Sequence, residues 1–193
     1  MSHALVTDTR LWSFLLDVDR DLAEKTLEGG CPICGAPLHR GDYSRKPRGA
    51  DLPEEYSRRF SFSCSTDGCR RRATPPSVRF LGQKVYLKVI VLLVTAMRQG
   101  PTPRSFRELE RLFSISRRTL RRWQTWWKDH FPRLLFWKRE RARFSPPLDD
   151  AALPSALLAA FHASSSSIEK MGRLLLFLAP ITTREGARLH GFG

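Results

Sequence analysis

The sequence predicts a mainly α fold with a small β ribbon, a helix-turn-helix core and a C-terminal helical hairpin. Three observations predict it. Apolar residues recur at helical spacing near both ends and in the middle of the chain. All four cysteines fall in two close pairs between positions 31 and 69. Two amphipathic segments meet across a three-residue turn at 114–116. The expected organisation is an N-terminal helix in 1–30, a ribbon in 31–80, a helix-turn-helix unit in 81–132, a basic linker in 133–147, a helical pair in 148–180 and a tail in 181–193.

Residues 9–28 read as a helix because Leu11, Phe14, Leu15, Leu22 and Leu27 share helical spacing, and Gly29-Gly30 stops it. From 31 to 80 the chain turns rich in Cys, Gly and Pro, with an alternating run RFSFS at 59–63 that suits a hairpin, and Pro75-Pro76 closes the module. A helix over about 82–98 follows, with Val85, Val89, Leu92, Leu93, Ala96 and Met97 on one wide apolar face. Gly100-Pro101-Thr102-Pro103 ends it. Helices at 106–113 and 117–131 come next, then a basic and aromatic connector, LLFWKRERARF, and Pro146-Pro147. The final pair spans about 151–163 and 167–179, on either side of a serine run. Asp149 and Asp150 suit a helix start through the dipole. Ser166 and Glu169 fit a capping box, and Ile168, Met171, Leu175 and Leu178 share one face.

The 193 residues carry 33 Lys+Arg against 19 Asp+Glu, a formal charge of +14, and 41% are hydrophobic, enough for a core. The charge is not spread evenly. Residues 1–38 are net −3, 39–84 net +6, 98–144 net +10 and 145–193 neutral. A cationic middle between neutral or acidic ends points to an acidic polymer as partner, nucleic acid before an anionic membrane. The apolar stretch 85–97 contains Lys88 and is too short to span a bilayer, and the N-terminus lacks a secretory pattern. A soluble cytoplasmic protein without membrane or small-molecule partner is the expectation.

Cys31-x2-Cys34 and Cys64-x4-Cys69 have the spacing that lets two thiolates on one tight turn face one ion. Pro32, Gly35 and Gly68 suit such turns. Four thiolates would make a closed, structural site for one Zn2+, with no open position for water. Two disulfides or four reduced thiols are the alternatives; the absence of a secretion signal disfavours the first and the strict pairing the second. His39 or His162 could substitute in a mixed site. The metal would mainly supply folding energy to an apolar-poor module, which would then display Arg58, Arg59, Arg70, Arg71, Arg72 and Arg79.

The segment SFRELERLFSISRRTLRRWQTWW is the sharper signal. Ser105 and Glu108 form a capping box, and Phe106, Leu109, Leu112 and Phe113 share a face. Ile115 can plug the turn, and Ser116 can cap the second helix. At 100° per residue, Leu120, Trp123 and Trp127 form one stripe. Arg118, Arg121, Arg122 and Thr125 lie opposite, with Arg117 at the N-terminal edge. A DNA-reading helix needs this division, because arginine forks bond guanine bidentately from the major groove. The plainer alternative is a helical hairpin whose arginines face water.

A Cys-x2-Cys…Cys-x4-Cys ribbon, a basic exit CRRRATPPSVRF and a helix-turn-helix ending in RRTLRRW together resemble the N-terminal DNA-binding portion of insertion-sequence transposases and related bacterial mobile-element proteins. The resemblance covers about 31–130. It implies recognition of element ends by Arg117, Arg118, Arg121 and Arg122, with Cys31, Cys34, Cys64 and Cys69 holding zinc, in a bacterial, nucleoid-associated setting. Ser116, Thr125 and the run Arg70, Arg71, Arg72 complete the expected DNA-binding set. Such transposases carry a further nuclease domain with three carboxylates. Here 49 residues follow Phe144, so the expectation is DNA binding without cutting, alone, as a dimer or beside a transposase partner.

Enzyme signatures are missing: there is no phosphate-cradling glycine loop, no Gly-x-Ser-x-Gly and no His-Glu-x-x-His. An RNA-binding zinc-ribbon module and a zinc-stabilised protein-interaction adaptor remain the competing functions.

Overall fold

Helix α1 (Thr9–Glu28) starts where the Asp8 carboxylate accepts the Arg10 amide at 2.9 Å. It ends at Gly29, and Gly30, at φ +70°, turns the chain away. A Cβ at Gly30 would lie 2.8 Å from the Gly35 carbonyl oxygen, so only glycine fits there. The computed structural model describes residues 7–45, 53–81, 110–111, 115–161 and 166–183. Among them the chain is mostly helical with a small antiparallel sheet, as the composition of its segments predicts.

The buried face of α1 is rotated from the expected one. Leu11, Trp12, Leu15, Leu16, Asp19 and Ala23 are buried, while Phe14 is 39% exposed and Leu22 and Leu27 are half-buried. Trp12 moves the centre of the stripe by its bulk. Phe14 instead covers Gly172, where a methyl group would overlap its ring.

Strand β1 (Leu38–Arg40) pairs with β4 (Phe62–Cys64), which pairs with β5 (Arg72–Ala73), all antiparallel. Strand β2 (Tyr43–Ser44) pairs separately with β3 (Arg58–Arg59), which follows the short helix α2 (Glu54–Ser57). The expected hairpin run at 59–63 is therefore split between two sheets. Its break at Phe60-Ser61 is fixed by the Ser61 amide donating to the Asp42 carboxylate at 3.0 Å, and by the Gly41 amide donating to the Ser61 carbonyl at 2.7 Å.

A polar clasp joins this module to α1. The fully buried Asp19 carboxylate accepts from the Ser77 hydroxyl at 2.7 Å, the Val78 amide at 2.7 Å and Arg79 Nε at 2.8 Å. Arg79 also donates to the carbonyls of Tyr56 and Arg58 and lies between the rings of Phe60 and Phe80. Burial lowers the Arg79 pKa and the Asp19 charge opposes that shift. The Ser77 amide donates to the Thr182 hydroxyl at 3.0 Å, so the C-terminal segment closes on the same turn. Two of the arginines expected on display are thus interior: Arg79 is 0% and Arg59 1% exposed. Arg59 donates to the Pro75 carbonyl at 2.6 Å, and burial pulls it down to about 10, still charged at neutral pH.

The helix expected at 117–131 begins as helix α3 (Arg117–Thr125), capped by Ser116, whose hydroxyl accepts the Thr119 amide at 3.3 Å. It continues as a π-helical turn (Trp126–His130) and a 3-10 turn (Phe131–Arg133) rather than as one α-helix to 131. Residues 133–147, expected as linker, include helix α4 (Leu135–Glu140), whose Trp137 is fully buried. Trp137 packs on Phe131 and donates its indole N–H to Asp150 at 2.8 Å. Arg141 pairs with the other oxygen of Asp150 at 2.9 Å. Hence Asp150 anchors α4 as well as opening the 3-10 turn Asp150–Ala152, which Asp149 caps through the Ala151 amide.

The helix expected at 151–163 is interrupted, because Pro154 lacks an amide donor and holds Leu153 extended. Helix α5 (Ser155–Ala160) begins after it. Helix α6 (Ser167–Phe177) starts as expected, with the Ser166 hydroxyl accepting the Glu169 amide at 3.1 Å. Pro180 ends it in a 3-10 turn, Ala179–Thr182. Met171, Leu174, Leu175 and Leu178 belong to the same buried cluster as the apolar face of α1, against which α6 packs. The expected helix at 82–98, the capping box at Ser105 and Glu108, most of the helix at 106–113, His162 and most of the tail lie outside the described residues.

Candidate metal centre and basic helix face

The sulfurs of Cys31, Cys34, Cys64 and Cys69 lie within 4.8 Å of one another. Cys31 and Cys69 are 3.8 Å apart and Cys34 and Cys64 3.5 Å apart, across the two knuckles. A disulfide needs about 2.05 Å, so these are four free thiols. A thiolate-bound ion with bonds of ~2.3 Å spaces its ligands about 3.8 Å apart in a tetrahedron. The four residues therefore could hold one metal ion, and the donor set is the soft one that zinc accepts.

Local turns build the cage. The Gly35 amide donates to the Cys31 carbonyl and the Cys31 amide to the Ala36 carbonyl, both at 2.8 Å, closing the first knuckle. Gly35 at φ +72° and Gly68 at φ +85° take the left-handed conformations these turns require. Cys64 ends β4, so the sheet supplies the rigid base of the second pair. The backbone amides of Cys34 and Ile33 stabilise the Cys31 thiolate and hold its pKa down at about 6. At Cys69 the Arg71 amide acts in the same direction, but burial and the neighbouring thiols Cys34, Cys31 and Cys64 outweigh it and push the value up to about 11. Four sulfurs this close cannot all carry charge without a cation among them. His39 lies on the exposed face of β1, outside this sulfur cluster.

Of the arginines after Cys69, Arg70 adopts φ +38° and pairs with Asp67 at 2.5 Å. Arg71 is exposed. Arg72 lies 5.5 Å from the centroid of the Tyr43 ring and donates to the Gly41 carbonyl at 3.4 Å. One basic run thus divides into a paired, an open and a stacked arginine.

On α3, Leu120, Trp123 and Trp127 are buried, and Ile115 in the turn is 2% exposed. Arg117, Arg118, Arg121, Arg122 and Thr125 are exposed. Arg118, Arg121 and Arg122 make no ion pair among the described residues. Trp126, placed off the main stripe by the helical angle, packs edge-on against Trp127 with centroids 4.8 Å apart and against Phe131 at 5.5 Å. It is an aromatic core contact.

The clasp residues Asp19, Ser77 and Arg79 carried no signal beyond an acid inside an apolar helix face, and the Tyr43–Arg72 stack carried none. No helix among the described residues is long and apolar enough to cross a membrane. No protein-family model, curated protein or solved structure matches this chain.

Proposed function

We propose that the chain is a sequence-specific double-stranded DNA-binding protein without nuclease activity, a transposase-like or transposon-associated protein that recognises a DNA end or operator. One observation carries this reading: α3 sets exposed guanidinium groups opposite a face locked into the core by Leu120, Trp123 and Trp127. A rigidly backed helix whose exposed Arg118, Arg121 and Arg122 make no ion pair among the described residues suits major-groove docking. Arg117 and Arg118 would approach the groove first, with Arg121, Arg122 and Thr125 one turn further along and Ser116 fixing the helix start. In this reading the helix expected from the sequence at 106–113, most of which lies outside the described residues, would be the first of a helix-turn-helix.

Cys31, Cys34, Cys64 and Cys69 would hold one structural Zn2+, making residues 31–80 a zinc ribbon. The ion would supply folding energy and no chemistry, because four protein ligands close the site. Arg71 and Arg72 flank it as phosphate contacts, while Arg70, expected among them, is taken up by Asp67. The setting that fits is the bacterial cytoplasm, at the nucleoid, with a second copy or a transposase as protein partner.

The deciding experiment selects bound duplexes from a random pool and measures metal on the same sample. The expected result is a defined sequence motif and one zinc per chain. Enrichment of no motif, or single-stranded RNA competing better than duplex DNA, would overturn the DNA reading in favour of an RNA-binding module. Binding to no nucleic acid would favour the adaptor reading.

A further inference from the structure

The three-stranded sheet places a polar row on its outer face. The register pairs His39 with Ser63 and Ser63 with Arg72, one residue from each strand. Paired residues hold their Cβ atoms about 4.5–5.5 Å apart, so the three side chains stand side by side. The neighbouring pairs, Leu38 with Cys64 and Phe62 with Ala73, are buried and point the other way. His39 and Arg72 are exposed and Ser63 is half-buried. The side chains of His39 and Ser63 have no hydrogen-bond partner among the described residues.

Arg72 is held in place without being neutralised. Its guanidinium lies over Tyr43, and one of its nitrogens donates to the Gly41 carbonyl. No carboxylate lies within ion-pairing distance of it among the described residues. The nearby acid Asp42 is engaged by the Ser61 amide, and Asp67 by Arg70. Most of the five guanidinium donors are therefore left for a ligand, at an entropy already partly spent by the stack.

We propose that the row His39–Ser63–Arg72, with Tyr43 as its backing ring, binds a backbone phosphodiester of duplex DNA. The proposal rests on the DNA-binding reading above and deepens its Arg72 phosphate contact into a sequence-independent site of three side chains. The ligand is a phosphate because a planar guanidinium fork, a hydroxyl and an imidazole N–H all donate to phosphate oxygens. It belongs to a polymer, because a flat open face encloses no small anion and gains occupancy only when the rest of the chain holds the ligand near.

The test compares full-length, zinc-loaded variants on a selected target duplex and on random duplex across a salt series. Arg72→Gln is expected to weaken both duplexes alike, by roughly three- to tenfold, and to reduce the magnitude of the salt slope by about one. Arg70→Gln, which removes an already paired arginine, should leave the slope unchanged. Arg72→Lys should restore the slope but only part of the affinity, since lysine restores charge without the fork. Zinc content and melting temperature equal to wild type confirm the fold of each variant. An unchanged slope in Arg72→Gln, or an equal loss in Arg70→Gln, overturns the proposal. Inorganic phosphate alone should give no saturable shift of the His39 ring signals; saturation at millimolar phosphate would assign the row to a free anion instead and overturn it. If Arg121→Ala loses target binding while Arg72→Gln loses nothing, only this inference falls. If wild type binds no duplex, both readings fall.

Discussion

Asp19 illustrates how much one side chain decides. It is an acid on the apolar face of α1, and it becomes the acceptor for a hydroxyl, an amide and a guanidinium contributed from 77–79. Removing one partner of a buried ion pair strands the other, at about 3–5 kcal/mol. Arg79→Met is therefore expected to lower the unfolding free energy by about that amount, read by urea denaturation of the zinc-loaded protein. Arg121 stands at the opposite extreme, exposed and unpaired among the described residues. Arg121→Ala should leave stability unchanged yet weaken the selected site by ~1–3 kcal/mol, with little loss on random duplex. Equal losses on both would make it a phosphate contact. The cysteines add a pH dependence. Cys31 is held down at about 6 by the backbone amides of Cys34 and Ile33. Cys69 is pushed up to about 11, so the proposed zinc would have to displace its proton at neutral pH. Apparent zinc affinity should therefore rise with pH, with proton release measurable in weak buffer; a pH-independent affinity would refute thiolate ligation.

Among the elements, α3 joins three requirements in nine residues: a serine cap, an indole face and a guanidinium face. Loss of the cap in Ser116→Ala should cost about 1 kcal/mol. Trp123→Ala should cost about 3–5 kcal/mol, because the indole is 7% exposed and fills the space behind the helix. Circular dichroism melts distinguish the two. The π-helical turn after Thr125 places Trp127 and Phe131 in contact, centroids 4.7 Å apart, and so feeds α3 into the aromatic core around Trp137. The four-cysteine cluster joins the two knuckles of the small sheet module. If the cluster holds the proposed zinc, a chelator should remove it and unfold 31–80, seen as loss of amide protection in β1, β4 and β5. Unchanged protection would mean that the clasp at Asp19 is sufficient to hold the module.

At the scale of the whole molecule, the described charges lie mostly outside the core, with Asp19, Arg59 and Arg79 as buried exceptions. The clasp, the α1–α6 contact and the aromatic cluster gather α1 and α6 into common packing, while the described basic residues of 39–144 other than Arg59 and Arg79 remain largely on the outside. With six or more phosphate contacts, affinity for duplex should fall about 10³-fold or more between 50 and 200 mM salt. A shallow dependence would place the charge outside the interface.

The amino-acid sequence determined the features that depend on near neighbours. It set the bounds of α1 through Gly29-Gly30, the caps Ser116 and Ser166, the division of α3 into an indole and a guanidinium face, and the pairing of the cysteines. Each follows from the fixed rise of a helix or the short reach of a turn, so position along the chain suffices. Tertiary structure alone decided which cations are interior. Arg59 and Arg79 look no different in the sequence from Arg58 and Arg72. Only packing against Asp19, Phe60, Phe80 and the Pro75 carbonyl buries the first two. Helix α4 and the His39–Ser63–Arg72 row were hidden for the same reason, since an aromatic cluster and a strand register join residues that chain order keeps apart. Burial of a charge depends on partners that fold in from a distance, and no local pattern encodes them.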